Sequence, residues 1–357
     1  MLDCHLISFY CRGLVAPRRK GLSVTNNTLV NIDALQISVK LSRTRRLKIV
    51  DYASMSIDRG EMIGLIGESG SGKTMLCRAL IGTLRRRDAY ISGGSILFDG
   101  IDLASAKSDV WRSVRGKRIG YIPQSALAGP NPVLTIEAQL MESLGKDYSR
   151  SRKDARKRAH ELLEIVQIRR PEIVMKQYPN QLSGGMKQRV MIACAIALQP
   201  ELIVADEPTT GLDVTVQAEI MKLLKDIREQ FNTSIILVSH DLPLINDVCD
   251  RITVMHSGAT VESLPSEDIE KSKHPYTIAL YKSRIDLAPP RGQLVTISGQ
   301  PPAVGVWQEG CRFNQRCSFV TEECLSGSHP QYIELSKLHS TACINHANLS
   351  EAIGTSK

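Results

Sequence analysis

The chain has 357 residues, a formal net charge of +8 and 42% hydrophobic residues, which suits a globular protein with one large domain plus appendages, or with two domains. Its longest apolar run is far shorter than the roughly 18 residues of a membrane-spanning helix, and its N-terminus is a poor secretory signal, so we interpret the protein as cytosolic. Most of the positive charge lies in residues 1–59, with ten Lys or Arg against four Asp or Glu, and 4% of the chain is aromatic. A basic leader is not a folded basic surface with interleaved aromatic residues, and together with the low aromatic content this argues against nucleic-acid binding.

The first 31 residues show no periodic pattern, and we predict a disordered leader over residues 1–31. From about residue 32 to 262, short apolar strands alternate with amphipathic helical patterns, which predicts an α/β domain with a mostly parallel sheet. The strand-like segments are EMIGLIG, GSILFDG, RIGYIPQ, ELIVADE, SIILVSHD and RITVMHSG. Residues 126–180 carry helical patterns without strand signals, so we expect an all-helical insertion there. Residues 263–357 form an extension punctuated by Pro and Gly.

The first chemical motif is GESGSGKT, which follows the strand EMIGLI and precedes the apolar helix MLCRALIGTL. Its glycines allow backbone N–H groups to turn inward around a phosphate, and the helix N-terminus adds its dipole. Lys73 is expected to reach the β- and γ-phosphate oxygens, and Thr74 to bind Mg²⁺. The predicted phosphate-binding residues are Gly67, Glu68, Ser69, Gly70, Ser71, Gly72, Lys73 and Thr74.

A second motif is LIVADE, an apolar strand that ends in two carboxylates. A buried strand of this kind can bring Asp206 beside Thr74 as a Mg²⁺ ligand, and Glu207 can then polarise the water that attacks the γ-phosphate. Alone the pattern is weak, because many strands end in acidic residues. Together with the phosphate loop it predicts a Mg²⁺-dependent nucleoside triphosphatase.

A third motif, LSGGMKQRV, opens the helix that runs to about Leu198. Ser183 is well placed as the N-cap, and Gly184 and Gly185 leave backbone N–H groups uncovered at the positive end of the helix dipole. The motif predicts a second anion-binding helix start.

With these three motifs in place, residues 35 to about 260 resemble the ATP-binding subunit of ABC transporters. In that resemblance GESGSGKT is the Walker A motif, LIVADE is Walker B and LSGGM is the family signature. It implies a P-loop NTPase core with an antiparallel β portion beside the parallel sheet. It also implies that two ATP molecules are sandwiched between two such subunits, with the signature of one closing over the ATP on the other.

Three smaller matches extend the resemblance. Gln124 in YIPQ matches the Q-loop and is implied to sense Mg²⁺ and the attacking water. Gly211 to Asp213 in TTGLD match the D-loop, so Asp213 is implied to join the nucleotide site. His240 in LVSHD matches the switch histidine, which is implied to hold the γ-phosphate and the water in line with Glu207.

The sequence departs from the family at two places. Family members usually have an aromatic residue about two dozen residues before Walker A, which stacks on adenine, but LSRTRRLKIVDY offers Leu47 or an arginine near that position. After Gln124, SALAGPNP replaces the acidic residue and turn of peptide-importer relatives, so the surface that couples to the membrane partner is expected to differ in detail.

The segments HPYTIAL, SGQPPA and GCRFNQRCSF resemble the C-terminal extension of dipeptide and oligopeptide importer ATPases, a branch that also includes relatives for nickel and glutathione. The resemblance implies an energy-coupling subunit on the cytoplasmic face of the bacterial inner membrane. Its partners would be a second ATPase subunit, two transmembrane permeases and, indirectly, an external solute-binding protein. A nickel, glutathione or other small cargo is the alternative. A soluble ABC ATPase of DNA repair or translation is less favoured, because the spacing between Lys73 and Ser183 suits a small helical domain rather than a long coiled-coil arm.

Four cysteines, Cys311, Cys317, Cys324 and Cys343, lie close together in the extension. Disulfides are not expected in a reducing cytosol, and structural zinc usually uses closer cysteine pairs. Unrelated thiols are the simplest interpretation, but the scarcity of apolar residues around the four favours a metal-held clip, with zinc or an iron–sulfur cluster as candidates. The resemblance points to a [4Fe–4S] cluster that folds the extension, because some peptide-importer ATPases hold one there.

Overall fold

The structure is a computed structural model that describes residues 27–42, 44–84, 89–124, 129–145, 151–284 and 296–349. Most of the leader predicted over residues 1–31 lies outside the described residues. Its boundary requires a correction, because the first strand begins at Thr28 and buries Leu29 and Val30. A paired β-strand, rather than a disordered leader, therefore occupies residues 28–31.

The helices and strands alternate along the described chain. The strands are β1 (Thr28–Lys40), β2 (Arg46–Asp58), β3 (Met62–Ile66), β4 (Ala89–Phe98), β5 (Ile101–Asp102), β6 (Ile119–Ile122), β7 (Leu202–Asp206), β8 (Ser234–Val238), β9 (Arg251–His256), β10 (Ala259–Pro265), β11 (Ile333–Ser336) and β12 (His339–Thr341). The α-helices are α1 (Lys73–Leu80), α2 (Ser108–Val114), α3 (Ile136–Leu144), α4 (Arg152–Ile165), α5 (Pro171–Val174), α6 (Gly184–Ala195), α7 (Val214–Phe231), α8 (Leu242–Val248) and α9 (Pro275–Lys282).

The larger sheet positions the site. Its strand order is β11-β12-β10-β9-β3-β8-β7-β6, and the five strands from β9 to β6 are parallel. These strands are short and buried on both faces, as is typical of parallel sheets covered by helices. The carboxyl ends of β3, β8, β7 and β6 meet at one edge, which is where ligands bind in open α/β sheets.

A second, antiparallel sheet has the order β2-β1-β4-β5 and packs against α1. Its core includes Ile37, Ile57 and Phe98, which lie in the same apolar cluster as Leu76 and Leu80 of α1. This sheet is the antiparallel portion that the family resemblance implied, and the predicted fold class is confirmed.

The helices α3, α4 and α5 follow β6 and lie within the predicted insertion, residues 126–180. Their apolar faces, including Leu140, Ala159, Leu162 and Val174, pack together and against α6. Within the described ranges, no helix is both long and apolar enough to cross a membrane.

The C-terminal extension is joined to the ATPase part by a continuous sheet. β10 crosses the predicted division between residues 262 and 263, and Glu262 and Ser263 pair with Thr341 and Ser340 of β12. Phe313 and two of the clustered cysteines, Cys311 and Cys324, lie in the same apolar core as the helices of the insertion. The extension is therefore packed on the ATPase part, because its own apolar residues are too few for a separate core.

Candidate functional site

The predicted phosphate loop runs from the end of β3 to the start of α1. Gly67, Gly70 and Gly72 have φ angles of 146°, 79° and 105°, a region that favours glycine. A Cβ on Gly67 would also collide with the carbonyl oxygen of Met255. No side chain caps α1, so the N–H groups of its first turn are open to an anionic ligand.

Lys73 lies inside this loop. Its Nζ donates hydrogen bonds to the carbonyl oxygens of Gly67, at 2.6 Å, and Glu68, at 3.0 Å. Burial lowers the pKa of Lys73, whereas the carboxylates of Glu207 and Asp206 raise it. The ammonium group is thus held at the loop by weak carbonyl acceptors that a triphosphate can replace.

The carboxylates of the second motif lie at the end of β7, two strands from β3. Asp206 is 1% exposed, and its Oδ1 has no hydrogen-bond partner among the described residues. Burial, followed by the charge of Glu207, raises the pKa of Asp206. A buried carboxylate oxygen without a partner is costly, and hard oxygen donors are the ligands that Mg²⁺ prefers. Asp206 therefore fits the predicted Mg²⁺ site together with the hydroxyl of Thr74.

Two residues with predicted catalytic roles, Gln124 and His240, lie against the carboxylate of the third, Glu207. Glu207 Oε2 accepts hydrogen bonds from Gln124 Nε2, at 2.9 Å, and from Thr210 Oγ1, at 3.0 Å. His240 Nδ1, at the end of β8, lies 3.7 Å from Glu207 Oε1. Gln124, Glu207 and His240 line one cleft with Lys73 and Thr74, so the structure brings together residues from four neighbouring strand ends.

The signature residues lie elsewhere on the chain. Ser183 caps α6, with its Oγ accepting the N–H of Met186 at 3.3 Å, and Asp213 caps α7 in the same way through Val216. A Cβ on Gly185 would approach Val216 Cγ1 to 2.8 Å, so glycine is needed for the close packing of α6 on α7. Among the described residues, those that line the cleft around Lys73 include neither Ser183, Gly184, Gly185 nor Asp213.

Residues of the extension reach the phosphate loop, which the sequence analysis did not predict. Arg316 Nη1 and Nη2 donate to the two carboxylate oxygens of Glu68 at 2.7 and 2.8 Å. The N–H of Glu68 donates to the hydroxyl of Tyr276 in α9 at 2.8 Å. Val304 lines the cleft itself. No local sequence pattern signals these contacts, because the partners are more than 200 residues apart.

The four clustered cysteines surround one small, mostly apolar cavity, which His274 and Phe313 also line. Burial raises the pKa of Cys311 to about 11 and that of Cys343 to about 12, and it also raises the pKa of Cys317. Burial therefore favours the protonated form of these three thiols. Over the described ranges, no group of three or more His, Cys, Asp or Glu side chains is arranged to hold a metal ion.

Comparisons with known proteins agree with the fold and the motifs. The model of the ABC transporter family matches residues 50–210, and that of the oligopeptide/dipeptide transporter C-terminal region matches residues 261–324. The chain is 38% identical to the oligopeptide transport ATP-binding protein AppD of Bacillus subtilis, over 84% of this chain and 91% of that protein. It is 39% identical to the dipeptide transport ATP-binding protein DppD of Haemophilus influenzae, over 82% of this chain and 89% of that protein.

The fold comparison gives the same result. The dimeric, post-hydrolysis structure of the ATP-binding cassette MJ0796, bound to ADP and Pi, superposes with a TM-score of 0.59 and 28% identity, over 66% of this chain and 98% of that one. A nucleotide-binding ATPase with this loop, this carboxylate pair and this signature helix is an ATP-binding cassette. The chain belongs to the ABC transporter family, in the branch that carries the oligopeptide/dipeptide transporter C-terminal region.

Proposed function

We propose that this ABC ATPase is the energy-coupling subunit of an importer for dipeptides or oligopeptides. The main structural support for ATPase activity is that Gln124, Glu207 and His240 lie together beside Lys73 in one cleft. The peptide cargo is supported by the names of the relatives and by the C-terminal region that matches over residues 261–324. The presence of this C-terminal region also argues against the alternative that the chain is a soluble ATPase of DNA repair or translation. A nickel or glutathione cargo has no comparable support.

In the proposed reaction, the phosphate loop and Lys73 bind the β- and γ-phosphates of ATP. Thr74, Asp206 and Gln124 would hold Mg²⁺, which when bound would stabilise the negative charge that develops on the phosphate oxygens. Glu207 accepts a proton from the attacking water, and His240 and Gln124 orient the water and the γ-phosphate.

The proposed working unit is a pair of ATPase subunits. Among the described residues, the signature residues of the same chain do not line the cleft around Lys73. Instead, Ser183, Gly184 and Gly185 present backbone N–H groups at the start of α6. A second subunit would supply these groups, with Asp213 at the junction. The pair would bind two transmembrane permeases at the cytoplasmic face of the inner membrane, and an external solute-binding protein would deliver the cargo to the permeases.

The cargo can be tested with the reconstituted complex of the ATPases, the permeases and the external binding protein in liposomes. We expect di- or oligopeptides to bind the external protein and to stimulate ATP hydrolysis several-fold. Nickel and glutathione serve as matched ligands in the same assay. Stimulation by either of these, with no response to a peptide library, would overturn the peptide assignment while leaving the ATPase assignment intact.

We further propose that the four cysteines of the extension bind a [4Fe–4S] cluster that stabilises its fold. The proposal is supported by the four cysteines that line one cavity and by the few apolar residues around them in the sequence; among the described residues these side chains are not arranged around a metal ion, so binding would draw them together. Metal binding would lower the pKa of thiols that burial otherwise keeps protonated. Cysteine thiolates are the donors that such clusters use.

The cluster can be tested by anaerobic purification. Protein with the cluster is expected to be brown, with about four irons per chain, and Cys317→Ser should lose both the iron and the protease resistance of the extension. Cys194→Ser, which changes a half-buried cysteine of α6 that does not line the cavity, is the matched control and should keep both. Colourless protein with zinc, or metal-free protein with an equally resistant extension, would contradict the proposal.

A further inference from the structure

A turn of the extension lies where the sequence lacks an aromatic residue for adenine. The turn covers residues 303–306, and the N–H of Val306 donates to the carbonyl of Ala303 at 2.9 Å. Gly305, at φ 75°, sits directly on β2, because a Cβ there would approach Leu47 Cδ1 to 2.5 Å and the carbonyl oxygen of Lys48 to 2.7 Å. Leu47 is one of the residues, with the neighbouring arginines, that the sequence offers near the expected stacking position.

The turn presents Val304 to the nucleotide cleft. Val304 lines this cleft with Ile49 and Lys73, and its Cγ2 would lie 3.5 Å from a Cβ placed on Gly70 of the phosphate loop. The pairing of β2 with β1 shifts register between Lys48 and Val50, so Ile49 lies at an irregularity of the strand, and Leu47 contacts the turn at Gly305. Val304 is 42% exposed although the groups around it are fixed. The structure thus holds an aliphatic side chain at the rim of an ATP site, where a flat apolar ligand would cover it.

The position of the turn is set by a buried cation. The guanidinium of Arg312 lies 3.6 Å from the ring centroid of Trp307 and donates to Asp51 Oδ2, at 2.9 Å, and to the carbonyl of Ser257, at 2.6 Å. The ring of Trp307 packs on Gly258, where a Cβ would lie 2.7 Å from it. These contacts attach the segment after the turn to β2 and to the β9–β10 connection. Val304 is therefore held at the cleft rather than on a free loop.

We propose that Val304, together with Ile49, forms an aliphatic surface beside Leu47 that covers the adenine of bound ATP in place of a stacked aromatic ring. The inference rests on the ATP site of the proposed function and adds a residue of the C-terminal extension to it. An aliphatic surface excludes water from the base but forms no hydrogen bonds with the polar groups along its edges. It therefore contributes affinity without strong discrimination between purines.

The test measures binding, not turnover, by displacement of a fluorescent ATP analogue from the full chain. Val304→Ala is expected to weaken ATP binding about three- to tenfold, since it removes two methyl groups from an apolar contact. GTP should lose affinity by a similar factor. Inorganic tripolyphosphate, which has no base, should bind wild type and variant equally. Val306→Ala, a 65% exposed valine of the same turn that does not line the cleft, is the matched control and should leave all three affinities unchanged.

A second variant checks the geometry independently. Gly305→Ala strains the backbone and collides with Leu47, so it should displace the turn. It should weaken ATP binding at least as much as Val304→Ala does, again without changing the affinity for tripolyphosphate. Unchanged ATP affinity in both variants would overturn the inference. Equal losses for ATP and tripolyphosphate would also overturn it, because the turn would then act on the phosphate loop through Gly70. Wild-type protein that binds neither ligand would instead refute the proposed ATP site on which the inference rests.

Discussion

Replacing Glu207 by Gln is expected to preserve ATP binding and to lower steady-state ATP hydrolysis by roughly 10²- to 10⁴-fold, the usual cost of removing a general base. The amide keeps the size of the side chain and can still contact Gln124 and Thr210, which donate to Glu207 at 2.9 and 3.0 Å. It cannot accept the proton of the attacking water. The variant should therefore accumulate as a closed pair with ATP bound, which size-exclusion chromatography with and without ATP can detect.

The control for this substitution is Glu219→Gln. Glu219 is an exposed carboxylate on α7 that pairs with Arg189, away from the cleft. Its loss should change turnover by less than twofold, since exposed ion pairs contribute only about 0 to 1 kcal/mol. A Glu207→Gln variant that hydrolyses ATP at the wild-type rate would show that another group activates the water.

The phosphate loop, the carboxylate pair and the signature helix could all be predicted from sequence because their geometry is local. Gly67 and Gly72 are needed for positive φ angles within the loop, and Ser183 caps the helix that follows it. The alternation of strands and helices then places the strand ends at one sheet edge. The contact of Gln124 with Glu207 follows from that topology, since β6 and β7 are neighbouring parallel strands.

The docking of the extension could not be predicted in the same way. It depends on pairs such as Arg312 with Asp51, which are 261 residues apart and have no periodic pattern. The pairing of β12 with β10 was also missed, because β11 and β12 are strands of only four and three residues, too short to show a clear alternation. The clustering of four cysteines in the sequence indicated a common site, but only the fold brings Cys343 to the cavity of the other three.

Arg316 and Glu68 form the contact of the extension that bears most directly on ATP. Arg316 is 4% exposed and Glu68 is 25% exposed. Burial raises the pKa of Glu68, but the hydrogen bonds and charge of Arg316 outweigh it and keep this pKa below its ordinary value. His256 lies 3.8 Å from the same carboxylate, yet burial lowers its pKa to about 4, so it is uncharged at neutral pH. Arg316 is thus the cation that hydrogen-bonds Glu68 beside the phosphate loop.

Replacing Arg316 by Ala is therefore expected to weaken ATP binding about ten- to hundredfold, since a bidentate hydrogen bond to a charged group contributes roughly 1.5 to 3 kcal/mol. The unpaired carboxylate would repel the incoming triphosphate, so the KM for ATP should rise more than kcat falls. Adding Glu68→Gln to Arg316→Ala removes the unpaired charge and should recover most of the affinity. Arg316→Lys, which keeps the charge but not the two-pronged geometry, should give an intermediate loss.

The control distinguishes a local effect on the loop from a loosened extension. Arg312→Ala removes a guanidinium that is also 4% exposed at the same interface but pairs with Asp51 on β2 instead of Glu68. If Arg316 acts through the charge of Glu68, the Glu68→Gln rescue will restore ATP affinity in the Arg316→Ala background and not in the Arg312→Ala background. Equal losses in the two arginine variants, without any rescue, would show that Arg316 only fastens the extension to the ATPase part.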